Sequence, residues 1–108
     1  MTRHENPQAA LELLILKTLA SGATHGFGIA LRIEQTSSGL LRVEEGSLYP
    51  ALHRCEKARF VDAEWQVTAN GRRARVYRLT KDGRKRLKEI ERKWAALNEG
   101  VRRVLGWA

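Results

Sequence analysis

A run of alternating apolar and polar residues ending in an Asn-Gly turn restricts the folds open to this 108-residue chain. Residues 61–68 alternate as a half-buried strand does, and Trp65 is expected in the core of the hairpin. Asn70-Gly71 is the strongest short hairpin signal, and residues 75–79 return as a second strand. Because a two-stranded ribbon is marginal alone, the hairpin must pack against helices.

Two helices are predicted near the start of the chain. The first opens at the Asn-Pro pair of residues 6–7, and its leucine-rich face is broad enough to need cover from the core and from a partner chain. The second runs over residues 26–36, with Thr24 as its cap and glycines in its first turns that indicate a close neighbouring segment. Its predicted buried stripe consists of Phe27, Ile29, Ala30 and Ile33.

A third helix, with two unlike faces, is predicted just before the hairpin. Ser47 is expected to cap it, which would place Pro50 in the first turn, where a missing N–H costs nothing. Its inward stripe is Leu48, Ala51, Leu52 and Cys55. Its opposite face carries Tyr49, Pro50, His53, Arg54 and Lys57. A helix end with a hydroxyl, a phenol, an imidazole and cations suits a DNA groove, so this is the predicted recognition helix.

The last helix, with Thr80 as its expected cap, carries a narrow apolar seam of heptad spacing. The seam residues are Leu87, Ile90, Trp94, Leu97, Val101 and Val104. Such a seam generally packs against a second helix, and no other segment of this short chain is an obvious supplier. A homodimer is therefore predicted. The alternative is that this helix folds back onto the first helix of its own chain.

Positive charge is concentrated in the last two-fifths of the chain. Residues 1–65 hold 7 Lys and Arg against 8 Asp and Glu, whereas residues 66–108 hold 13 against 4. This distribution indicates a polyanionic partner, and the alternative is a merely solvated face. The turn and its exit carry Arg72, Arg73 and Arg75, and no acidic residue lies in the sequence between Glu64 and Asp82 to neutralise them.

Several classes of protein do not fit the residue pattern. No apolar run has the length of a membrane span, the polar start is not a signal peptide, and a single cysteine fits a reducing compartment, so a cytoplasmic location is expected. Cys55 is predicted to be an inert core residue. The three histidines are scattered and no catalytic set or phosphate loop is evident, so neither an enzyme nor a metal or cofactor site is expected.

These motifs, taken together, resemble the PadR family of bacterial transcriptional regulators over nearly the whole chain. The matching segments are residues 13–16, His25-Gly26-Phe27-Gly28-Ile29, Gly46-Ser47-Leu48-Tyr49-Pro50-Ala51-Leu52, Gly71-Arg72, Arg75, Tyr77-Arg78-Leu79-Thr80, Gly83 and Trp94. The resemblance implies a dimer through the N- and C-terminal helices and a repressor that binds a palindromic operator. This chain departs from the pattern at Phe27, usually tyrosine, at Arg59, usually glycine at the exit of the recognition helix, and at Cys55, usually a bulkier aliphatic residue.

The expected fold class is mainly α with a small β wing, a winged helix-turn-helix plus a long C-terminal dimerisation helix. Residues 1–80 would form the DNA-binding region and residues 81–108 the dimerisation helix, within one structural domain. The residues predicted to bind double-stranded DNA are Ser47, Tyr49, His53, Arg54, Lys57, Arg72, Arg73 and Arg75. Those predicted at the dimer interface are Leu13, Leu16, Leu87, Ile90, Trp94, Leu97, Val101 and Val104.

Trp94 is also the candidate contact for a small apolar or aromatic ligand that would release the DNA. Its alternative role is that of a packed interface anchor. For the whole chain, the alternative to an operator-binding repressor is a basic protein-interaction or RNA-binding module without operator specificity.

Overall fold

The computed structural model describes residues 10–107, so the predicted helix start at residues 6–7 lies outside the described residues. Four helices surround a small antiparallel sheet of strand order β1-β3-β2. The elements are α1 (Leu11–Ala20), β1 (Thr24–His25), α2 (Gly26–Thr36), α3 (Glu45–Lys57), β2 (Val61–Val67), β3 (Arg73–Leu79) and α4 (Lys81–Leu105). The predicted winged-helix architecture is thereby confirmed.

The hydrophobic core lies where α1, α3 and the start of α4 meet the base of the sheet. It contains Ile15 and Leu16 of α1, Leu52 of α3 and Val61 of β2, all nearly inaccessible to solvent. The inward stripe predicted for α3 is confirmed, because Leu48, Ala51, Leu52 and Cys55 are all buried. This packing fixes which face of α3 remains exposed.

The hairpin lies where it was predicted but differs in detail. The loop consists of residues 68–72, with Gly71 at a φ of 76°, and β3 starts at Arg73, two residues earlier than expected. The short strand β1, which pairs with β3 through Thr24 opposite Tyr77, was not predicted. Strands of two residues carry no periodicity that a sequence pattern could reveal.

The prediction that Trp65 lies in the core is wrong. Trp65 is 55% exposed, and in β2 only Val61 is buried. The alternation identified one face of the strand correctly. However, the hairpin extends beyond the helices, so no helix covers the outer half of that face.

The caps of α2 and α3 also differ from the predictions. His25, not Thr24, caps α2, its Nδ1 accepting a hydrogen bond of 3.0 Å from the backbone N–H of Gly28. α3 begins at Glu45 rather than after Ser47, which places Pro50 at its sixth position. The N-cap residue Glu44 makes no side-chain cap bond, and the acidic Glu45 in the first turn instead complements the helix dipole.

Phe27 does not belong to the buried stripe of α2. Its side chain is 66% exposed, whereas Ile29 and Ile33 are buried as predicted. The expected close neighbours of the α2 glycines are confirmed: a β-carbon on Gly26 would lie 2.8 Å from the Tyr49 ring, and one on Gly28 would overlap the Thr24 hydroxyl.

The first half of the last helix adopts the alternative weighed from the sequence, whereas its second half is exposed to solvent. Its first half folds back onto α1, where Leu87 and Ile90 are buried, with Lys17–Glu91 at 3.1 Å and Arg86–Glu12 at 2.8 Å joining the two helices. From residue 95 onward every described residue of α4 is exposed. Within residues 10–107, no helix has both the length and the apolarity that a bilayer crossing requires.

The turn after α3 is predicted to gain stability when Arg59 is replaced by glycine. Arg59 has a φ of 65°, a left-handed conformation that favours glycine, the residue usual in the family at this position. An L-residue with a β-carbon is disfavoured there by about 1 kcal/mol. We expect Arg59→Gly to raise the free energy of unfolding by about 1 kcal/mol, or the Tm by about 4–8 °C.

Thermal unfolding followed by circular dichroism measures this change. Arg59→Ala removes the same side chain but keeps the β-carbon, and is the matched control. An equal gain in both variants would mean that the side chain, not the backbone conformation, opposes stability.

Candidate nucleic-acid interface

The exposed side of α3 faces a groove beside the hairpin. Tyr49, His53 and Lys57 lie on successive turns of one helix face, so they share this groove. The residues that line it are Tyr49, His53, Glu56, Lys57, Arg75 and Tyr77. The structure thus brings together four of the predicted DNA contacts, which are Tyr49, His53, Lys57 and Arg75.

Ser47 and Arg54 lie on the other flank of α3. Arg54 is exposed and lines a different depression, together with Glu12, Cys55 and Arg86. Neither residue lines the groove beside the hairpin. These two residues therefore lie apart from the groove that four of the other predicted contacts share.

Tyr49 has one side against the protein and one side open to solvent. Its ring covers Gly26 at the start of α2, with Cε1 and the hydroxyl 2.8 and 2.9 Å from where a β-carbon would stand. The ring nevertheless remains 46% exposed. Tyr49 therefore serves both as packing between α2 and α3 and as a polar group of the groove.

The wing has two faces of different character. In the antiparallel register Ala63 is opposite Tyr77, Trp65 opposite Arg75 and Val67 opposite Arg73. These pairs share the face that continues from the core, here called the inner face. The outer face pairs Asp62 with Arg78 and Glu64 with Val76, and Arg78 contacts Glu64 at 3.3 Å. Uncompensated positive charge therefore lies on the inner face and in the loop.

The three wing arginines have different surroundings. Arg72 lies in the loop and is exposed, and Arg73 lies over the Trp65 ring at 4.9 Å from its centroid. Arg75 pairs with Glu56 of α3 at 2.5 Å. The inference that no carboxylate neutralises the wing arginines is wrong for Arg75, because the partner comes from a different element.

An adjoining groove runs between the start of α2 and the wing. The functional side chains around it are His25, Phe27, Tyr49, Trp65, Arg72, Arg73 and Arg75. Sequence reasoning missed Phe27 and Trp65 as surface residues of this region. The sequence did indicate that Trp65 would be exposed, because Trp65 lies in the half of β2 nearest the Asn-Gly turn. That half is the one farthest from the helices.

Cys55 is the buried thiol that the sequence predicted. Burial, assisted by the negative charge of Glu12, raises its pKa to about 11, despite the opposing charges of Arg54 and Arg86. The thiol is therefore protonated near neutral pH, and the prediction of an inert core cysteine is confirmed. Among residues 10–107, no His, Cys, Asp and Glu side chains form a group of three that could hold a metal ion.

The predicted interface residues fall into three groups. Leu16, Leu87 and Ile90 are buried within the single chain, and they serve its own core. Leu13 and Trp94 are half-buried at the edge of that core. Leu97, Val101 and Val104 are 56, 45 and 88% exposed. A partner could contact the second and third groups without rearrangement of the chain.

A recognition helix that borders a basic two-stranded wing defines a winged-helix DNA-binding fold. The sequence model of the PadR-like transcriptional regulator family matches residues 15–89. The chain belongs to this family.

Relatives and solved structures agree with this assignment. The chain is 41% identical to "Transcriptional regulator Rv3488" of Mycobacterium tuberculosis over 102 residues, covering 94% of this chain and 89% of the relative. A PadR family transcriptional regulator from Eggerthella lenta has a TM-score of 0.77 at 26% identity, over 91% of this chain and 83% of that one. A transcriptional regulator from Clostridium thermocellum superposes with a TM-score of 0.81 at 24% identity, over 89% and 93%, and shows the same fold.

Proposed function

We propose that this chain is a repressor that binds a palindromic operator as a homodimer. The observation that carries the proposal is the shared exposure of the α3 face and the wing loop on one side, where Lys57, Arg72 and Arg73 have no acidic partner among residues 10–107. Cations so placed would release counterions from phosphates on both sides of a groove. His53 and Lys57 would meet base edges, whereas Arg72 and Arg73 would meet the backbone or the minor groove.

The exposed apolar seam of α4 supports the dimer. The outer half of α4 exposes Leu97, Val101 and Val104 on one seam, more apolar surface than an isolated helix usually leaves in water. A two-fold pair of recognition helices would read two half-sites one helical turn or a multiple of it apart. Residues 81–108 would thus hold the two DNA-binding regions at a fixed spacing. A ligand role for Trp94 stays a prediction.

Selection from a random duplex pool tests the proposal. We expect enrichment of one inverted repeat, bound far more tightly than scrambled duplex, and reduced transcription from a promoter that contains it. Enrichment of no sequence, with binding that disappears as salt rises, would favour the basic interaction module instead. Increased transcription from the same promoter would contradict repression.

The wing contribution is tested by changing Arg72 and Arg73 together to alanine. Each phosphate contact contributes about 0.9 to the slope of log affinity against log salt, so a dimer losing four contacts should show a slope smaller by about 3.6. Affinity should fall on all duplexes. Arg102 and Arg103 at the end of α4 provide the control, since changing both to alanine removes the same charge away from the wing. An equal effect of both variants would mean that only net charge matters.

A further inference from the structure

Arg75 is the most constrained of the wing arginines. Its guanidinium contacts the Glu56 carboxylate of α3 at 2.5 Å and lies 5.7 Å from the centre of the Trp65 ring on β2. It also lines the groove beside the hairpin together with Tyr77 of the same strand. One side chain of β3 thus joins the recognition helix to both strands of the wing.

The Glu56–Arg75 pair is more sheltered than the other ion pair of the hairpin. Its side chains are 35 and 31% exposed, whereas those of Arg78 and Glu64 on the outer face are 60 and 55% exposed and 3.3 Å apart. Exposed pairs contribute little, because water screens them and their side chains must be ordered. In a half-buried pair with an indole beside the cation, water screens the charges less and the side chains are already restricted.

The outer half of the wing has little else to hold its direction. Trp65 and Val67 are exposed, and beyond Ala63 no residue of β2 is even half-buried. Glu56, nineteen residues before Arg75, is the described side chain of α3 that pairs with the wing through an ion pair. The angle between the recognition helix and the wing therefore depends on this contact.

We propose that Glu56 and Arg75 are positioning residues that set the wing relative to the recognition helix, and that Arg75 is not a phosphate contact. This inference rests on the proposed operator binding. The DNA duplex must contact α3 and the wing at the same time. If the angle between them varied, the wing would no longer hold its contacts to the DNA backbone in a fixed position relative to the base contacts of α3. Sequence discrimination should then suffer more than general affinity.

The test compares Glu56→Gln, Arg75→Gln and the double variant for binding to the selected operator and to scrambled duplex. The ratio of the two affinities cancels the long-range effect of one added or removed charge. We expect this ratio to fall about tenfold in each single variant, and to fall no further in the double variant, because one contact is lost in all three.

Glu64→Gln and Arg78→Gln are the matched controls, since they make the same charge changes on the outer face of the same hairpin. They should leave the ratio within about twofold. If Arg75→Gln instead weakens all duplexes equally and lowers the salt slope, Arg75 contacts phosphate and the inference is overturned.

Thermal unfolding of the same variants separates this inference from the proposed function. Non-additive Tm shifts for the Glu56 and Arg75 variants would establish the pair without DNA. With the pair established, an unchanged affinity ratio would overturn the positioning role alone. Absence of any operator preference in the wild-type protein would overturn the proposed function, and this inference with it. Additive Tm shifts would overturn the inference while leaving operator binding intact.

Discussion

Replacing Gly83 by alanine should destabilise the protein, although alanine is the better helix former. Gly83 lies in the first turn of α4, where a β-carbon would overlap the carbonyl oxygen of Phe60 and stand 2.6 Å from Cδ1 of Leu79. That carbonyl cannot easily move, because it accepts hydrogen bonds of 3.0 Å from both the N–H and the hydroxyl of Thr80. Overpacking of this kind costs about 1–3 kcal/mol, enough to lower the Tm by about 10 °C.

Gly100 gives the matched control on the same helix. A β-carbon there would have no neighbour within 4 Å, so Gly100→Ala should stabilise the protein by about 1 kcal/mol through helix propensity alone. Calorimetry of the two variants should therefore show Tm shifts of opposite sign. If both variants were more stable than the wild-type protein, Phe60 and the start of α4 would be able to move apart at no cost in free energy.

Leu97→Glu is expected to convert the proposed dimer into monomers. Leu97 is 56% exposed on the seam of α4, and two-fold symmetry would bring both new carboxylates into one interface. Burying this uncompensated charge should cost about 4 kcal/mol, which corresponds to a loss of about 1,000-fold in dimer affinity. Sedimentation velocity at micromolar concentration measures the change.

The control for this experiment adds the same charge outside the seam. Ala95 is exposed and lies two positions before Leu97, away from the heptad face. Ala95→Glu should leave the sedimentation coefficient unchanged. If the Leu97 variant also stays dimeric, the subunits associate through another surface, and the seam is left without its proposed role.

Much of the fold could be predicted from the sequence because its long elements carry strong periodic patterns. The buried stripe of α3, the extent of α2, the Thr80 cap and the Asn-Gly hairpin all follow from local rules. The family's usual glycine at position 59 is consistent with the left-handed conformation of Arg59. These features depend on residues near one another in sequence.

The errors arise where the outcome depends on what another element covers. Alternation assigns Trp65 to a face of β2, but only the length of the helices decides how far that face is buried. Phe27, in the first turn of α2, was misplaced for the same reason. Glu56 was overlooked as the partner of Arg75 because sequence distance says nothing about contacts between α3 and β3.

The two faces of the wing also affect how a target would be found. The outer face carries Asp62 and Glu64 against Arg78 alone, whereas the inner face carries Arg73 and Arg75 against Glu56 of α3 alone. Phosphates would be repelled from one side of the hairpin and attracted to the other. An encounter with DNA of any sequence would therefore already have the orientation needed for reading. One-dimensional sliding could then test successive sites without the protein having to detach and turn around.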